Sequence, residues 1–168
     1  MANKKNIVRR IKSAVISVSD KSNLKPLLQT LNRYNVKLIS SGGTFKAIRK
    51  LGYRCLEVSD YTGFNEILDG RVKTLHPKIH AGILNKRDNN SHKREIKKNN
   101  FQNIDLVIVN FYPFEKTLNT TKNHNKIIEK IDIGGPALVR SAAKNYNDVA
   151  VITSVSYTHL TLPTKRIV

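Results

Sequence analysis

The chain has 168 residues, 39% of them hydrophobic and 25% charged, which is typical of one soluble globular domain. Its 30 lysines and arginines exceed its 12 acidic residues, so the formal net charge is +18, a field that attracts nucleic acids and anionic small molecules. The longest apolar runs are far shorter than the roughly 20 residues of a membrane-spanning helix, and the basic amino terminus lacks a signal-peptide pattern, so we expect a cytoplasmic protein.

Four β-branched, almost continuously apolar runs predict buried strands of a parallel sheet, at residues 14–18, 36–40, 105–111 and 148–153. Between the first two runs, leucines recur at helical spacing behind Ser22 or Asn23, either of which fits a helix N-cap. A strand, a helix and a second strand within about 30 residues form a right-handed βαβ unit. The alternation of such segments predicts a doubly wound α/β domain.

The segments after the second strand contain further short elements. SSGGTFKAIRKLGY predicts a glycine turn and a helix to Lys50 that stops at Gly52, and YRCLEV predicts a short strand. The only cysteine, Cys55, lies in that strand, which excludes an internal disulfide and indicates a buried small apolar side chain. NKIIEKI and PALVRSAAKNY predict helices, the second with Pro136 in its first turn.

The carboxyl-terminal residues 155–168 differ in style from the rest of the chain. VSYTHLTLPT resembles one reading frame of an adapter used to prepare sequencing libraries. We therefore expect the domain to occupy residues 1–154, incomplete at its end, and residues 155–168 to be a non-native tail. A genuine short hairpin is the alternative interpretation.

Two strand ends carry residues suited to phosphate. SVSDK follows the first strand and supplies hydroxyls, an acidic cap and a cation, while SSGGT follows the second with two glycines and a hydroxyl at a helix start. In a parallel sheet, ligands bind beyond the carboxyl ends of the strands. The two motifs together predict a phosphate cradle, although each alone also fits an ordinary cap or turn.

The stretch GRVKTLHPKIH, residues 70–80, contains several cations and no acidic residue. Arg71, Lys73 and Thr74 suit phosphate and carbonyl oxygens, because a guanidinium offers a planar fork and an ammonium a mobile point charge. His76 and His80 have the four-residue spacing of some zinc sites, but the intervening proline and the lack of neighbouring ligands argue against a metal. A solvated basic loop is the alternative.

Two later motifs complete the candidate residues. In NFYPF, Tyr112 precedes a proline and is held extended at a strand end. In IDIGGPALVRSAAKN, Asp132 precedes two glycines that open a helix, so a carboxylate and free backbone donors should meet there. Arg140 and Lys144 fall on roughly one face of that helix, although a surface lysine and an ion-paired arginine would look the same.

The chain resembles a known family in strings that keep the family's order and spacing, namely SVSDK, SSGGT, VSDYTGFNEILDGRVKTLHPKIHAGIL, NFYPF and IDIGGPALVRSAAKN. The family is the IMP cyclohydrolase domain of the bifunctional purine biosynthesis enzymes, and the resemblance runs from about residue 10 to Thr153. It implies a methylglyoxal synthase-like fold, a three-layer Rossmann-like sandwich around a parallel sheet. It also implies a hydrolase that converts 5-formamidoimidazole-4-carboxamide ribotide (FAICAR) to IMP and water, the last step of de novo purine biosynthesis.

The resemblance implies roles for particular residues. Lys144 would donate or accept the proton with its charge tuned by Asp132, Lys73 would polarise the formyl oxygen, and Tyr112 would hydrogen-bond the reacting groups. The implied nucleotide-binding residues are Ser19, Asp20, Lys21, Ser41, Gly42, Gly43, Thr44, Arg71, Val72, Thr74, Asn110 and Ile133. No metal or cofactor is implied for ring closure.

The chain departs from the family at its carboxyl end. Family proteins carry a second domain, absent here, that transfers a formyl group from 10-formyltetrahydrofolate to AICAR and through which they form homodimers. Their cyclohydrolase domain also extends past Thr153. We therefore expect this 168-residue chain to lack transformylase activity, to fold poorly alone, and to be inactive or weakly active as it stands.

Two other functions stay open. The charge of +18 fits a basic nucleic-acid-binding module, although aromatic stacking platforms and helix-turn-helix or zinc signatures are missing. A methylglyoxal synthase-like enzyme acting on a small phosphate ester would share the fold. The strings RVKTLHP and IDIGGP favour the cyclohydrolase, for which we expect a nucleotide monophosphate substrate and neither a specific nucleic acid nor a membrane as partner.

Overall fold

The computed structural model describes residues 10–112 and 114–153, apart from the side chain of Lys116. In this part of the chain all strands lie parallel in one sheet of order β3-β2-β1-β4-β5. The strands are β1 (Ser13–Val18), β2 (Lys37–Ser40), β3 (Leu56–Glu57), β4 (Leu106–Asn110) and β5 (Ala150–Ile152).

The helices of the described residues connect these strands. They are α1 (Leu24–Arg33), α2 (Gly42–Lys50), α3 (Val58–Thr62), α4 (Pro77–Leu84), α5 (Asn90–Lys98), α6 (Phe114–Thr120), α7 (His124–Ile128) and α8 (Gly134–Lys144). A short 3-10 turn, Leu68–Gly70, lies between α3 and α4. None of these helices is long and apolar enough to span a bilayer.

Alternate residues of β1 and β4 point to opposite faces of the sheet, and each face carries its own apolar core. Ile16 and Ile108, which are paired in register, pack with the leucines of α1 and with Ile48 of α2. Val15 and Val107 face the other way and pack with α3, α4 and α8. The sheet is therefore the middle of three layers, as the nearly continuous apolar strands predicted.

The predicted α/β architecture is confirmed, with differences at individual residues. Asn23 occupies the N-cap position of α1 but makes no side-chain capping bond. Gly42 and Gly43 belong to the first turn of α2 and do not form a separate turn before it, whereas Gly52, with φ +85°, follows the helix end as predicted. The predicted tail, residues 155–168, lies outside the described residues.

Cys55 precedes β3 and packs partly against the core on the α1 and α2 side. Burial raises the pKa of its thiol to about 12, with a smaller opposing effect from Arg49. The side chain is only partly buried, so the prediction of a buried apolar residue holds in part.

Candidate active site

The site lies at the carboxyl edge of β1 and β4, the central strands at which the sheet order reverses. Asn110, at the end of β4, accepts hydrogen bonds through Oδ1 from the backbone N–H groups of Ser19 (2.5 Å) and Asp20 (3.1 Å). Its Nδ2 donates to the Asp20 carbonyl at 2.9 Å. The amide side chain therefore holds the SVSDK loop in place across the switch point.

The amino terminus of α2 opens at this edge. The first N–H groups of a helix have no intrahelical acceptor, and α2 has no acidic residue in its first turn and no capping bond from Ser41. A Cβ built on Gly42 would lie 3.3 Å from Lys73 Nζ, and one built on Gly43 would lie 3.9 Å from Lys21 Nζ. Two ammonium groups thus flank the free donors, which makes this an anion-binding arrangement.

Thr44 has a different role from the predicted one. Its hydroxyl accepts from the Val18 N–H at 3.1 Å and donates to the Val18 carbonyl at 2.9 Å, and the side chain is buried. The hydroxyl fastens α2 to the end of β1, so its proton is not available to a ligand. The expected ligand contact of Thr44 stays a prediction, and its backbone, which belongs to the helix mouth, suits it better than the hydroxyl does.

The cation-rich stretch 70–80 spans the distance between two helix starts. Lys73 lies beside Gly42 of α2, while Thr74 Oγ1 would be 2.6 Å from a Cβ on Gly134, the first residue of α8. A side chain on Gly134 would therefore collide with Thr74. The glycines let this stretch contact both helices closely, which brings the SSGGT and IDIGGP motifs into one site.

Although the stretch itself contains no acidic residue, two of its cations are paired with acidic residues from outside it. Lys73 Nζ lies 2.9 Å from Glu66 Oε2, and Arg71 forms an ion pair with Glu129 beyond the end of α7. The Arg71 pair is solvent-exposed, and it raises the pKa of Arg71 and lowers that of Glu129. Glu66 and Glu129 were missed, although acidic residues are scarce in this chain and Glu66 precedes Lys73 by only seven positions.

The amino terminus of α8 already has an anionic partner. Asp132 Oδ1 accepts from the Gly135 N–H at 2.9 Å, so the predicted meeting of carboxylate and backbone donors is present. A Cβ on Gly135 would lie 2.5 Å from Asp132 Oδ2, hence only glycine leaves room for the carboxylate. Because Asp132 occupies the Gly135 donor and places a negative charge at this helix start, a second anion fits better at α2 than at α8.

Other predicted residues lie around this edge with different exposure. Tyr112 is exposed just after β4, and Lys130 Nζ lies 5.1 Å from the centre of its ring. Ile133 is exposed before α8, and Val72 is half-buried in a two-residue antiparallel bridge with Ile67. The sequence-predicted residues of the carboxyl edge are thus brought together. Asp20 is also held there by a hydrogen bond that its carboxylate accepts from the Ser22 N–H, and this bond lowers the pKa of Asp20.

Lys144 and Arg140 do not reach this edge within the chain. Lys144 is the last residue of α8, ten residues after Gly134, which corresponds to about 15 Å along the helix axis. Both side chains are exposed on the side of α8 that faces away from the sheet. The expected tuning of Lys144 by Asp132 is therefore not supported by their positions, because the two groups lie at opposite ends of one helix.

The two histidines have separate structural partners. His76 caps α4 by accepting the Lys78 N–H at Nδ1, while His80 Nδ1 lies 2.9 Å from Ser141 Oγ of α8. Burial lowers the pKa of His80, with a smaller opposing effect of the Thr74 backbone. The rings bond to different elements, as expected of structural residues.

A separate cavity of about 410 Å³ lies between α5 and the loop that follows it, lined by Lys93, Lys97 and Phe101 among others. It is formed by residues of the segment 85–103, none of which belongs to the strand-end motifs. The candidate site is therefore identified by its chemistry, as an open rim at the strand ends, and this cavity is no part of it.

Comparison with known proteins identifies the family. The model of the MGS-like domain matches residues 23–137, well over half of the chain. The chain belongs to the MGS-like domain family. The matched range contains the SSGGT motif, the stretch 70–80, Tyr112 and Asp132, so this MGS-like domain includes most of the site described above.

The curated relatives are longer proteins. The MGS-like domain is 51% identical over 144 residues to the bifunctional purine biosynthesis protein PurH of Clostridioides difficile, an alignment covering 86% of this chain and 28% of that protein. It is 51% identical over 147 residues to PurH of Acetivibrio thermocellus, covering 87% and 29%. The chain thus spans less than a third of the length of these relatives.

A solved structure shares the fold. The crystal structure of ForH superposes with a TM-score of 0.76 at 33% sequence identity, covering 89% of this chain and 76% of the ForH chain. The predicted methylglyoxal synthase-like fold is therefore confirmed both by the family and by the arrangement of strands and helices.

Proposed function

We propose that this domain is an IMP cyclohydrolase, which closes the second ring of purine by converting FAICAR to IMP and water. The observation that supports it most directly is the pair of lysine ammonium groups at the uncapped mouth of α2, on the same sheet edge as Asp132 and Tyr112. The relatives named as bifunctional purine biosynthesis proteins agree with this reading and give no support to a nucleic-acid-binding module.

In this proposal the ribotide phosphate binds at the start of α2. The free N–H groups of residues 42–44 supply directed donors, and Lys21 supplies positive charge beside Gly43. Gly42 and Gly43 carry no side chain, so the backbone approaches the phosphate oxygens closely. The imidazole and its two amide substituents then extend along the strand ends toward Asn110 and Asp132.

Ring closure forms one bond within a single molecule. The carboxamide nitrogen attacks the formyl carbon and loses one proton, while the formyl oxygen takes up negative charge and then a proton. The resulting hydroxyl takes up a second proton and leaves as water, as the formamide nitrogen loses its proton and the ring C=N bond forms. Holding the two substituents in the attacking conformer supplies much of the rate enhancement. The reaction transfers no electrons to or from the protein, so the proposal calls for no redox cofactor.

Residues at the site fit the remaining steps. Lys73 lies at the start of α2, next in sequence to Thr74 at the start of α8, and would stabilise the oxyanion. Asp132, the carboxylate at the start of α8, would accept the amide proton, with Tyr112 hydrogen-bonding the reacting groups. Lys144 would take part only if another copy of the chain delivered it, so we assign it no step. Since the substrates of this pathway are soluble, we propose a cytoplasmic location.

The experiment is product analysis with the purified protein and FAICAR. IMP formation followed by chromatography, at a rate above that of the protein-free solution, is expected. Dihydroxyacetone phosphate is offered in parallel. Formation of methylglyoxal from it would contradict the proposal and support a methylglyoxal synthase-like enzyme that acts on a small phosphate ester. Tight, salt-resistant RNA binding without IMP formation would instead support a nucleic-acid-binding module.

A further inference from the structure

We infer that Glu66 is a positioning residue for Lys73, and that the Lys73–Glu66 pair occupies the space which the missing side chain of Gly70 leaves. The inference rests on the proposed function only for its kinetic readout. Glu66 lies within the long family string, but no role was implied for it there, and it lies outside the strand ends.

The contacts support this role. Lys73 Nζ lies 2.9 Å from Glu66 Oε2, with the Lys73 side chain 30% exposed and that of Glu66 47% exposed. A Cβ on Gly70 would lie 2.3 Å from Lys73 Cε, 2.6 Å from Nζ and 2.8 Å from Glu66 Oε1. The ion pair therefore folds directly over Gly70, and even a methyl group there would displace it.

The backbone around Gly70 is arranged to make this possible. Leu68, Asp69 and Gly70 all have positive φ, at 52°, 53° and 86°, which is uncommon for non-glycine residues. The loop is closed by paired hydrogen bonds between Ile67 and Val72, each 3.4 Å long. Backbone strain of this kind tends to be retained where the surroundings use the geometry, and here it brings Glu66 and Lys73 together.

The pair also explains how Lys73 faces the helix mouth. An ammonium has three donors and a long flexible stem, so its position is poorly defined without a partner. Glu66 takes one donor, while Nζ stays near Gly42 with its other donors free to meet a ligand oxygen. The carboxylate thus fixes the direction from which Lys73 acts, without itself touching the substrate.

The test compares Glu66→Gln and Gly70→Ala with a matched control, Gly52→Ala. Gly52 has φ +85°, against +86° for Gly70, but a Cβ there would meet nothing within 4 Å. The control therefore introduces the same backbone strain without moving a lysine. We expect both test variants to lower kcat for IMP formation about tenfold or more while changing KM less than about threefold, and the control to keep wild-type kcat.

A double-mutant cycle separates positioning from a general structural effect. If Glu66 acts through Lys73, then Glu66→Gln should cost nothing further in a Lys73→Met background. Additive losses of kcat, or a wild-type kcat in Glu66→Gln, would overturn the inference. Glu66→Asp, which retains the charge, should recover part of the lost kcat.

A second measurement does not depend on catalysis. Trace acetylation with acetic anhydride, quantified by mass spectrometry relative to Lys50, should rise at least about threefold at Lys73 in Glu66→Gln and Gly70→Ala but not in Gly52→Ala, because the partner no longer restrains the amine. Unchanged labelling would contradict the positioning role. If the wild type makes no IMP, the proposed function fails, and labelling alone decides this inference.

Discussion

Removing the Lys21 ammonium should weaken binding of the nucleotide phosphate and little else. Lys21 Nζ donates to the Ser19 carbonyl at 3.0 Å and lies 3.9 Å from the Cβ position of Gly43, at the mouth of α2. Lys21→Met keeps the aliphatic stem but loses one charge-assisted donor. We therefore expect IMP to bind less tightly, with the effect confined to ligands that carry a phosphate.

The magnitude follows from the geometry. A hydrogen bond to a charged partner contributes about 1.5–3 kcal/mol, and each 1.4 kcal/mol is about a tenfold change in Kd, so Lys21→Met should raise the Kd for IMP roughly 10- to 100-fold. Lys46→Met is the matched control, since it removes the same charge from an exposed position on α2 beyond the helix mouth. The change in Kd for Lys46→Met measures how much the overall positive charge of the chain, +18, contributes to binding of an anionic ligand.

The assay is isothermal titration of the purified protein with IMP and with inosine, at constant ionic strength. Inosine lacks the phosphate, so Lys21→Met should leave its affinity unchanged within about twofold. Equal losses for both ligands would mean that Lys21 contacts the nucleoside or maintains the fold. Equal losses for Lys21→Met and Lys46→Met would refute the argument that a phosphate binds at the start of α2.

The other predictions concern stability and the distant lysine. Arg87→Met should lower the free energy of unfolding, measured in urea, by about 3 kcal/mol. The reason is that the buried guanidinium donates to three backbone carbonyls and lies 3.6 Å from Asp105. The control variant at an exposed arginine, Arg94→Met, should change the free energy of unfolding little. The pKa of His80 is lowered in the folded protein. Stability should therefore fall as the pH drops below the ordinary histidine pKa of 6.5, and it should level off below the folded-state pKa. Thermal melts of His80→Gln should show a weaker decline of stability over that pH range. Lys144→Ala should leave the Kd for IMP unchanged, since the side chain lies about 15 Å from the start of α8, and a weakened Kd would contradict this separation.

Much of the fold could be predicted because its signals are local. The apolar runs at β1, β2, β4 and β5 and the leucines of α1 set the strands and helices through their periodicity. The strand-end position of SVSDK and SSGGT follows from the same pattern, since parallel strands share a carboxyl edge. Thr44 could not be read correctly, because a hydroxyl at a helix start fits both a ligand contact and a bond to the preceding strand.

The pairing of charges could not be predicted in the same way. Glu66 meets Lys73 across a loop in which three successive residues adopt positive φ, and Glu129 meets Arg71 across 58 positions. Neither pair lies on one regular helix or strand, so no periodic pattern in the sequence indicates it. Lys144 and Asp132 show the opposite situation: they belong to one sequence motif, but the helix α8 places them at its two ends.

The amino-acid sequence by itself determined the layered α/β framework and the edge at which chemistry is possible, since both depend on hydrophobic periodicity and on the shared direction of parallel strands. Only the tertiary structure shows that the start of α2 has no capping carboxylate whereas the start of α8 has one in Asp132, which is why we propose the phosphate site at α2. The physical reason is that a helix amino terminus attracts an anion only when its donors are free, and whether a carboxylate already occupies them depends on the folded position of one side chain.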